Sequence, residues 1–343
     1  MTADTDRIAL SGAPGSPYTR KMLAVLRYRR ISYRLLPSDA AGQGGLPSPK
    51  VRLLPTFFLP GADGALEAVT DSSPIIRRLE RERPGRSVIP TDPVLAFLDE
   101  LVEDYADEWL TKAMFHYRWY YQADIDKAGQ QLPLWRNLSI ADDQLAQMSA
   151  LISRRQIDRL YVVGSNDVTA PVIEASYERF LRAFEAHLTV QPFLLGRRPG
   201  AGDFGVYGQL TQLAHFDPTP MALALKIAPR VSAWVDIMED LSGLEPTDGD
   251  WIDPGRIPRT LTALLVEIGR VYPPVMLANA RAVQSGAEVV ETVVDGLRWT
   301  QPPFPYQAKC LAWLRQSRAA LSVDDCARVD AILAGTGCEA LFV

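Results

Sequence analysis

Three short stretches in the first quarter of the chain constrain its fold more than any other feature. The first, GSPYTRK from Gly15, lies between a short apolar run and an amphipathic stretch over 22–28, which predicts strand, loop and helix. In the second, Pro55 comes just before another apolar run. The third, Asp71-Ser72-Ser73-Pro74, joins polar capping residues to a proline, which marks a helix start. Two helix starts and a proline at a strand edge can converge on one small acidic peptide.

Composition excludes several other classes of protein. The chain has 343 residues, of which 47% are apolar and 22% are charged, with a formal net charge of −5. This length predicts two domains, or two domains and an extension. A protein that follows nucleic-acid phosphates needs a basic face, so the acidic balance argues against a nucleic-acid partner.

The termini and cysteines indicate a cytoplasmic protein. The first seven residues are acidic and lack the apolar core of a secretory signal, and no run approaches 18 apolar residues, so we expect no membrane span. The cysteines, Cys310, Cys326 and Cys338, are odd in number and confined to the last tenth of the chain, which fits a reducing compartment. Because no histidine accompanies them at ligand spacing, we predict no metal site.

Periodicity divides the chain into three parts. Residues 1–83 alternate strand and helix patterns in the order βαβ, loop, ββα, which is typical of a thioredoxin-like α/β domain. Residues 94–245 have helical periodicity, beginning with one long candidate over 94–121, and predict an all-α domain. The rest, 246–343, is a C-terminal extension in which an Asp-Gly turn predicts a hairpin over 291–299, followed by a helix from Tyr306 to Leu321.

Together the motifs resemble those of the glutathione S-transferase family over roughly residues 7–240. Ser16-Pro17-Tyr18-Thr19 stands where glutaredoxins carry Cys-Pro-Tyr-Cys and where serine-type transferases carry their catalytic serine. Leu54-Pro55 is similar to the cis-proline step of the family, and Asp71-Ser72 to its acidic-Ser pair. The extension resembles that of longer bacterial transferase-like proteins. Gly200 stands where the family usually has a Ser or Thr helix cap.

The resemblance implies a glutathione transferase that activates the glutathione thiolate for attack on a small apolar electrophile. It implies glutathione as co-substrate, no metal, and a homodimer. Thiolate is the nucleophilic form, so the enzyme must lower the pKa of the thiol. Ser16 at a helix start can do so with a hydroxyl hydrogen bond and the helix dipole. Tyr18 and then Ser11 are the rival hydroxyls.

The other proposed contacts also follow from the resemblance. The backbone of Leu54, exposed by Pro55, is expected to pair with the cysteine unit of glutathione. Asp71 and Ser72 are expected to receive the γ-glutamyl ammonium and carboxylate, although plain capping of the next helix explains them equally well. Lys50 is a weak candidate for the glycyl carboxylate.

The second substrate is predicted to lie against the long helix of the all-α domain. Residues 114–121 (MFHYRWYY) contain five aromatic side chains, which cannot all be buried on one helix face. Core packing is the first interpretation of this stretch, and the alternative is that His116, Tyr117 or Tyr120 lines a pocket for a flat apolar electrophile.

Two other functions compete. A non-catalytic glutathione-binding or scaffolding protein with the transferase fold is favoured by the extension, by Gly200 and by the long loop over 38–50. A thiol-disulfide reductase needs a cysteine at 16 or 19, where the chain has Ser16 and Thr19.

Overall fold

The computed structural model describes residues 7–343. Its N-terminal unit is α/β and consists of β1 (Ile8–Ser11), α1 (Pro17–Tyr28), β2 (Tyr33–Leu36), β3 (Thr56–Pro60), β4 (Leu66–Val69) and α2 (Ser72–Glu82). The strands form one mixed sheet of order β2-β1-β3-β4, in which β1 and β2 are parallel and β3 is antiparallel to β1 and β4. Leu10, Val25, Phe57 and Ile76 are fully buried and join the sheet and its helices in one core. The predicted thioredoxin-like domain is confirmed.

The second part is helical, as predicted. Its helices are α3 (Pro93–Tyr105), α4 (Thr111–Tyr120), α5 (Gln122–Leu134), α6 (Asp142–Ile157), α7 (Ala170–His187), α8 (Ala201–Leu213), α9 (Pro218–Ile227) and α10 (Pro229–Met238). A π-helical turn, Ala106–Leu110, joins α3 to α4, so the two helices are continuous over the predicted range. Helices α5 and α9 were not predicted, because α5 contains Pro133 and α9 begins at a proline within a turn-like sequence.

A carboxylate from α3 replaces the missing cap of α8. Gly200 has no side-chain acceptor, but Asp99 accepts hydrogen bonds from the N–H groups of Ala201 and Gly202 at 3.0 and 2.9 Å. Asp203 accepts the N–H of Gly200 at 2.9 Å. A Cβ atom at position 200 would lie 2.1 Å from Asp99 Oδ1. Glycine and the distant carboxylate therefore form one capping unit.

The extension is folded onto the helical part. It consists of α11 (Arg259–Ser285), β5 (Val290–Val294), β6 (Leu297–Gln301), α12 (Pro305–Ala319) and α13 (Val323–Leu333). The predicted hairpin, with positive φ at Asp295 and Gly296, and the predicted helix after it are confirmed. Tyr272 packs edge-on against Tyr105 of α3, and Ser317 donates a hydrogen bond to Glu100 at 2.9 Å.

Helix α11 was not predicted, because Pro273 and Pro274 lie inside it. Within residues 7–343 it is the one helix that is long and apolar enough to cross a membrane, and 61% of its most apolar window is buried inside the protein. Core helices of soluble proteins satisfy the same criterion, so the expectation of no membrane span stays a prediction.

Candidate functional site

One end of the site, which we call the Ser16 end, consists of Ser16, Leu54 and Pro55. Ser16 has extended backbone geometry and caps α1, accepting the N–H of Thr19 at 3.2 Å. Its hydroxyl donates to the Leu54 carbonyl oxygen, also at 3.2 Å. The Leu54–Pro55 peptide is cis, as the resemblance implied. The structure thus brings the predicted hydroxyl and the proline step into direct contact.

Helical residues that the sequence analysis did not single out hold the loop before Ser16. Arg118 of α4 donates to the Gly15 carbonyl at 2.9 Å and forms a buried ion pair with Asp217 at 2.9 Å. Gln212 of α8 donates to the Pro14 carbonyl at 3.2 Å. Trp135 packs on Gly15, where a Cβ atom would lie 2.4 Å from the Trp135 ring. The only local signal of these contacts was Gly15 itself.

The two rival hydroxyls also donate to backbone carbonyls, at shorter distances than Ser16 does. Tyr18 donates to the Asp107 carbonyl at 2.7 Å and links α1 to the π-helical turn. Burial, followed by the charges of Asp107 and Glu108, raises the pKa of Tyr18 well above its ordinary value. Ser11 is fully buried and donates to the Pro37 carbonyl at 2.6 Å. Ser16 remains the leading candidate, because its own bond to a carbonyl is longer, at 3.2 Å, and its side chain is only partly buried.

The other end, which we call the Asp71 end, begins at the N-terminus of α2. Asp71 has a φ of 85°, and its carboxylate accepts a hydrogen bond from the Tyr306 hydroxyl at 2.5 Å. The Ser72 hydroxyl is buried and accepts from Lys21 at 3.0 Å, so its contribution to a ligand is limited to its backbone N–H. Lys50 is exposed, and among residues 7–343 no partner is found for its ammonium group.

A buried ion-pair network of Lys21, Glu103, Asp107 and Arg77 lies next to the Asp71 end. Lys21 is fully buried and donates to Glu103 at 2.8 Å and to Asp107 at 2.6 Å, besides Ser72. Burial opposes its charge, but Asp107 and Glu103 raise the pKa of Lys21 above its ordinary value. Against the effect of burial, Lys21 and Arg77 lower the pKa of Glu103 to about 2. The network is therefore ionised at neutral pH.

The structure corrects the interpretation of the aromatic stretch in α4. His116 is fully buried, with Nδ1 2.8 Å from Ser165 Oγ and Nε2 3.2 Å from Glu174 Oε1, and burial lowers its pKa. Tyr117 is 4% exposed and packs edge-on against Tyr177. These two side chains belong to the core, because neither presents a surface to a ligand. Tyr120 is the exposed member of the three predicted residues, at 37%.

Comparison with known families agrees with this geometry. The family model described as "Glutathione S-transferase, N-terminal domain" matches residues 10–87, and the one described as "Glutathione S-transferase, C-terminal domain" matches residues 142–236. The chain belongs to the glutathione S-transferase family. Ser16, Leu54, Pro55 and Asp71 all lie within the range matched by the N-terminal domain model, whereas Tyr306 lies outside both matched ranges.

Several solved structures share a distant likeness of fold with this chain. A glutathione S-transferase from Methylobacterium radiotolerans, in complex with glutathione sulfonate, is 19% identical, with 68% of this chain and 90% of that chain covered and a TM-score of 0.40. A glutathione transferase from Burkholderia graminis, with two glutathione molecules per subunit, has 16% identity, 69% and 85% coverage and a TM-score of 0.43. A glutathione S-transferase from Rhodospirillum rubrum is 18% identical, with 74% of this chain and 97% of that chain covered and a TM-score of 0.43. No curated protein sequence matches the chain.

Among the described residues, 7–343, no group of three or more His, Cys, Asp or Glu side chains could hold a metal ion. The three cysteines are free thiols, and Cys310 and Cys338 are buried.

Proposed function

We propose that this protein binds glutathione between the Ser16 end and the Asp71 end and activates its thiol for attack on a small apolar electrophile. The observation that carries this proposal is the 3.2 Å contact between Ser16 Oγ and the Leu54 carbonyl at the start of α1. A peptide whose cysteine pairs with the Leu54 backbone would bring its sulfur to the same hydroxyl. The α1 N-terminus adds positive potential there.

The size of the expected effect follows from an exchange of hydrogen bonds. To stabilise the thiolate, Ser16 turns its proton from the Leu54 carbonyl to the sulfur. It gains a bond to a charged group, which contributes about 1.5–3 kcal/mol, and gives up a neutral bond of about 0.5–1.5 kcal/mol. The helix terminus adds about 0.3–1 kcal/mol. The net gain lowers the pKa of the bound thiol by about 1–2 units, since one unit corresponds to about 1.4 kcal/mol.

The remaining parts of the peptide have candidate partners as well. We assign the γ-glutamyl end to Asp71 and to the backbone N–H groups at the start of α2, and the glycyl carboxylate to Lys50. Tyr120 stays a candidate for the electrophile, and Trp135 joins it because its ring packs on the loop before Ser16.

We also propose that the protein is cytoplasmic and that two chains pair as a homodimer. Sedimentation equilibrium tests the homodimer.

The experiment is a titration of thiolate absorbance from about pH 5 to 9 with glutathione bound. We expect a bound-thiol pKa about 1–2 units below the free value of about 8.5. Ser16→Ala should abolish most of that shift, whereas Ser16→Thr, which keeps both hydroxyl and cap, should preserve it. Because Ser16→Ala also removes a helix cap, Ser16→Asp serves as a capped control that should raise the pKa further. A normal shift in Ser16→Ala would contradict the proposal and direct attention to Tyr18.

The second candidate is a non-catalytic glutathione-binding protein. It is favoured by one observation, that the Ser16 hydroxyl already has a donor and an acceptor within the protein. This function predicts glutathione binding with an unshifted thiol pKa, and the same titration distinguishes the two.

A further inference from the structure

The extension reaches into the Asp71 end across 235 positions of sequence, through the hydrogen bond from Tyr306 to Asp71. Residues on both sides of Tyr306 in the sequence are held in place by hydrogen bonds. Before it, Asn279 of α11 donates to the Phe304 carbonyl at 2.9 Å and accepts the Phe304 N–H at 2.7 Å. After it, Gln307 donates to the Glu108 carbonyl at 3.2 Å. These contacts fix the position of the Tyr306 hydroxyl.

The surroundings of Tyr306 have more hydrogen-bond acceptors than donors. Asp107 Oδ1 and Gln307 Oε1 have no hydrogen-bond partner, although their residues are only 8% and 2% exposed. Tyr306 uses its own proton on Asp71, so its oxygen is left as an acceptor. A buried acceptor without a partner costs about 1–3 kcal/mol. The place therefore suits a ligand group that brings several N–H donors.

Charge favours a cation there. Burial raises the pKa of Asp107 to about 6; Lys21 opposes this, and the Glu103 and Asp71 charges act with burial. Asp71, Glu103 and Asp107 share the single ammonium of Lys21 and the guanidinium of Arg77, so a further positive group would reduce repulsion among them.

We propose that the extension completes, within one chain, a subsite for the α-ammonium group of the γ-glutamyl residue, with Tyr306 as a specificity-determining residue. Glutathione carries two carboxylates and one ammonium group, and the ammonium group is its only cationic donor. Asp71 and the Tyr306 oxygen accept from it, and this pair of adjacent acceptors selects for a charged N–H donor. This inference rests on the proposed function.

Calorimetric titration with two ligands tests the inference. The ligands are glutathione and its deaminated analogue, glutaryl-cysteinyl-glycine, which lacks only the ammonium group. The wild-type protein should bind glutathione at least about tenfold more tightly than the analogue, as expected for a hydrogen bond to a charged group. Tyr306→Phe should weaken glutathione binding by about tenfold and leave analogue binding unchanged. Tyr161→Phe, which changes an exposed ring elsewhere, is the matched control.

The other outcomes separate the two proposals. Equal affinity of the wild-type protein for the two ligands, or an unchanged preference in Tyr306→Phe, would overturn the inference while glutathione binding itself stands. Tighter binding by Tyr306→Phe would also overturn it, because Tyr306 would then compete with the ligand. If the wild-type protein binds neither peptide, the proposed function fails and the inference falls with it.

Discussion

The two ends of the candidate site differ in how they are built. At the Ser16 end, the hydroxyl, the cap and the cis-proline peptide all come from the N-terminal domain, and Ser16 and Leu54 are 38 positions apart. At the Asp71 end, Lys21 of α1, Asp107 of the π-helical turn and Tyr306 of the extension meet beside α2. Thiol activation is therefore assigned to a compact local motif. Recognition of the rest of the peptide depends on contacts between distant segments, and it can change with the extension.

The largest effect on the free energy of unfolding is expected from breaking the buried ion-pair network next to the Asp71 end. Lys21→Met leaves Asp107 without its cation and Glu103 with Arg77 alone. Removing one partner of a buried ion pair costs about 3–5 kcal/mol. We expect a loss of this size in the free energy of unfolding, measured with urea. Lys50→Met, at an exposed position, is the control and should change stability little. A small loss in Lys21→Met would mean that the network is not what holds this end together.

A smaller effect is expected at the Ser16 end. Gly208 of α8 lets α1 approach closely, since a Cβ atom there would lie 2.6 Å from the Pro17 carbonyl oxygen. Gly208→Ala should lower the free energy of unfolding by about 1–3 kcal/mol through overpacking and should raise the pKa of the bound thiol by displacing Ser16. Gly205→Ala, whose Cβ would lie 3.3 Å from Ala106 Cβ, is the milder comparison in the same helix. Equal behaviour of the two variants would contradict this account.

A third effect concerns pH and the junction between the extension and α3. Burial raises the pKa of Asp104, which accepts a hydrogen bond from Tyr272, to about 7 from an ordinary 3.8. Between about pH 4 and pH 7, Asp104 is protonated in the folded protein but ionised in the unfolded chain. The free energy of unfolding therefore falls as the pH rises through this range. Asp104→Asn should make stability less dependent on pH by about 2–3 kcal/mol between pH 5 and 8, since one pKa unit corresponds to about 1.4 kcal/mol. Thermal unfolding at both pH values measures it, and an unchanged dependence would assign the titration to other groups.

Local patterns were sufficient to predict much of the fold. The strands and helices of the N-terminal domain and the Asp-Gly hairpin follow from neighbouring residues, whereas the cis step at Leu54–Pro55 was implied by the family resemblance. Helix α11 could not be predicted this way, because Pro273 and Pro274 are strong helix-breaking signals that tertiary packing overrides. Similarly, Gly200 gave no sign that Asp99, about a hundred positions earlier, supplies the missing cap.

In the candidate site, too, residues in local motifs could be predicted and residues placed by distant contacts could not. Ser16 and Asp71 were predictable, since motifs of adjacent residues carry them. Tyr306 was not, because nothing near it in the sequence refers to Asp71. His116 and Tyr117 were pocket candidates beside the core interpretation, and they lie in the core; a stretch rich in aromatic residues does not specify which rings other helices cover.

The most direct test of the account asks whether the two ends act separately. The pKa of the glutathione thiol and the dissociation constant of glutathione would be measured together, by thiolate absorbance and calorimetry, in Ser16→Ala and in Tyr306→Phe. We expect Ser16→Ala to raise the thiol pKa by about 1–2 units, with little change in the dissociation constant at pH values below the thiol pKa. We expect Tyr306→Phe to raise the dissociation constant and to leave the thiol pKa nearly unchanged. If both variants changed both quantities alike, the division between local activation and long-range recognition would be wrong.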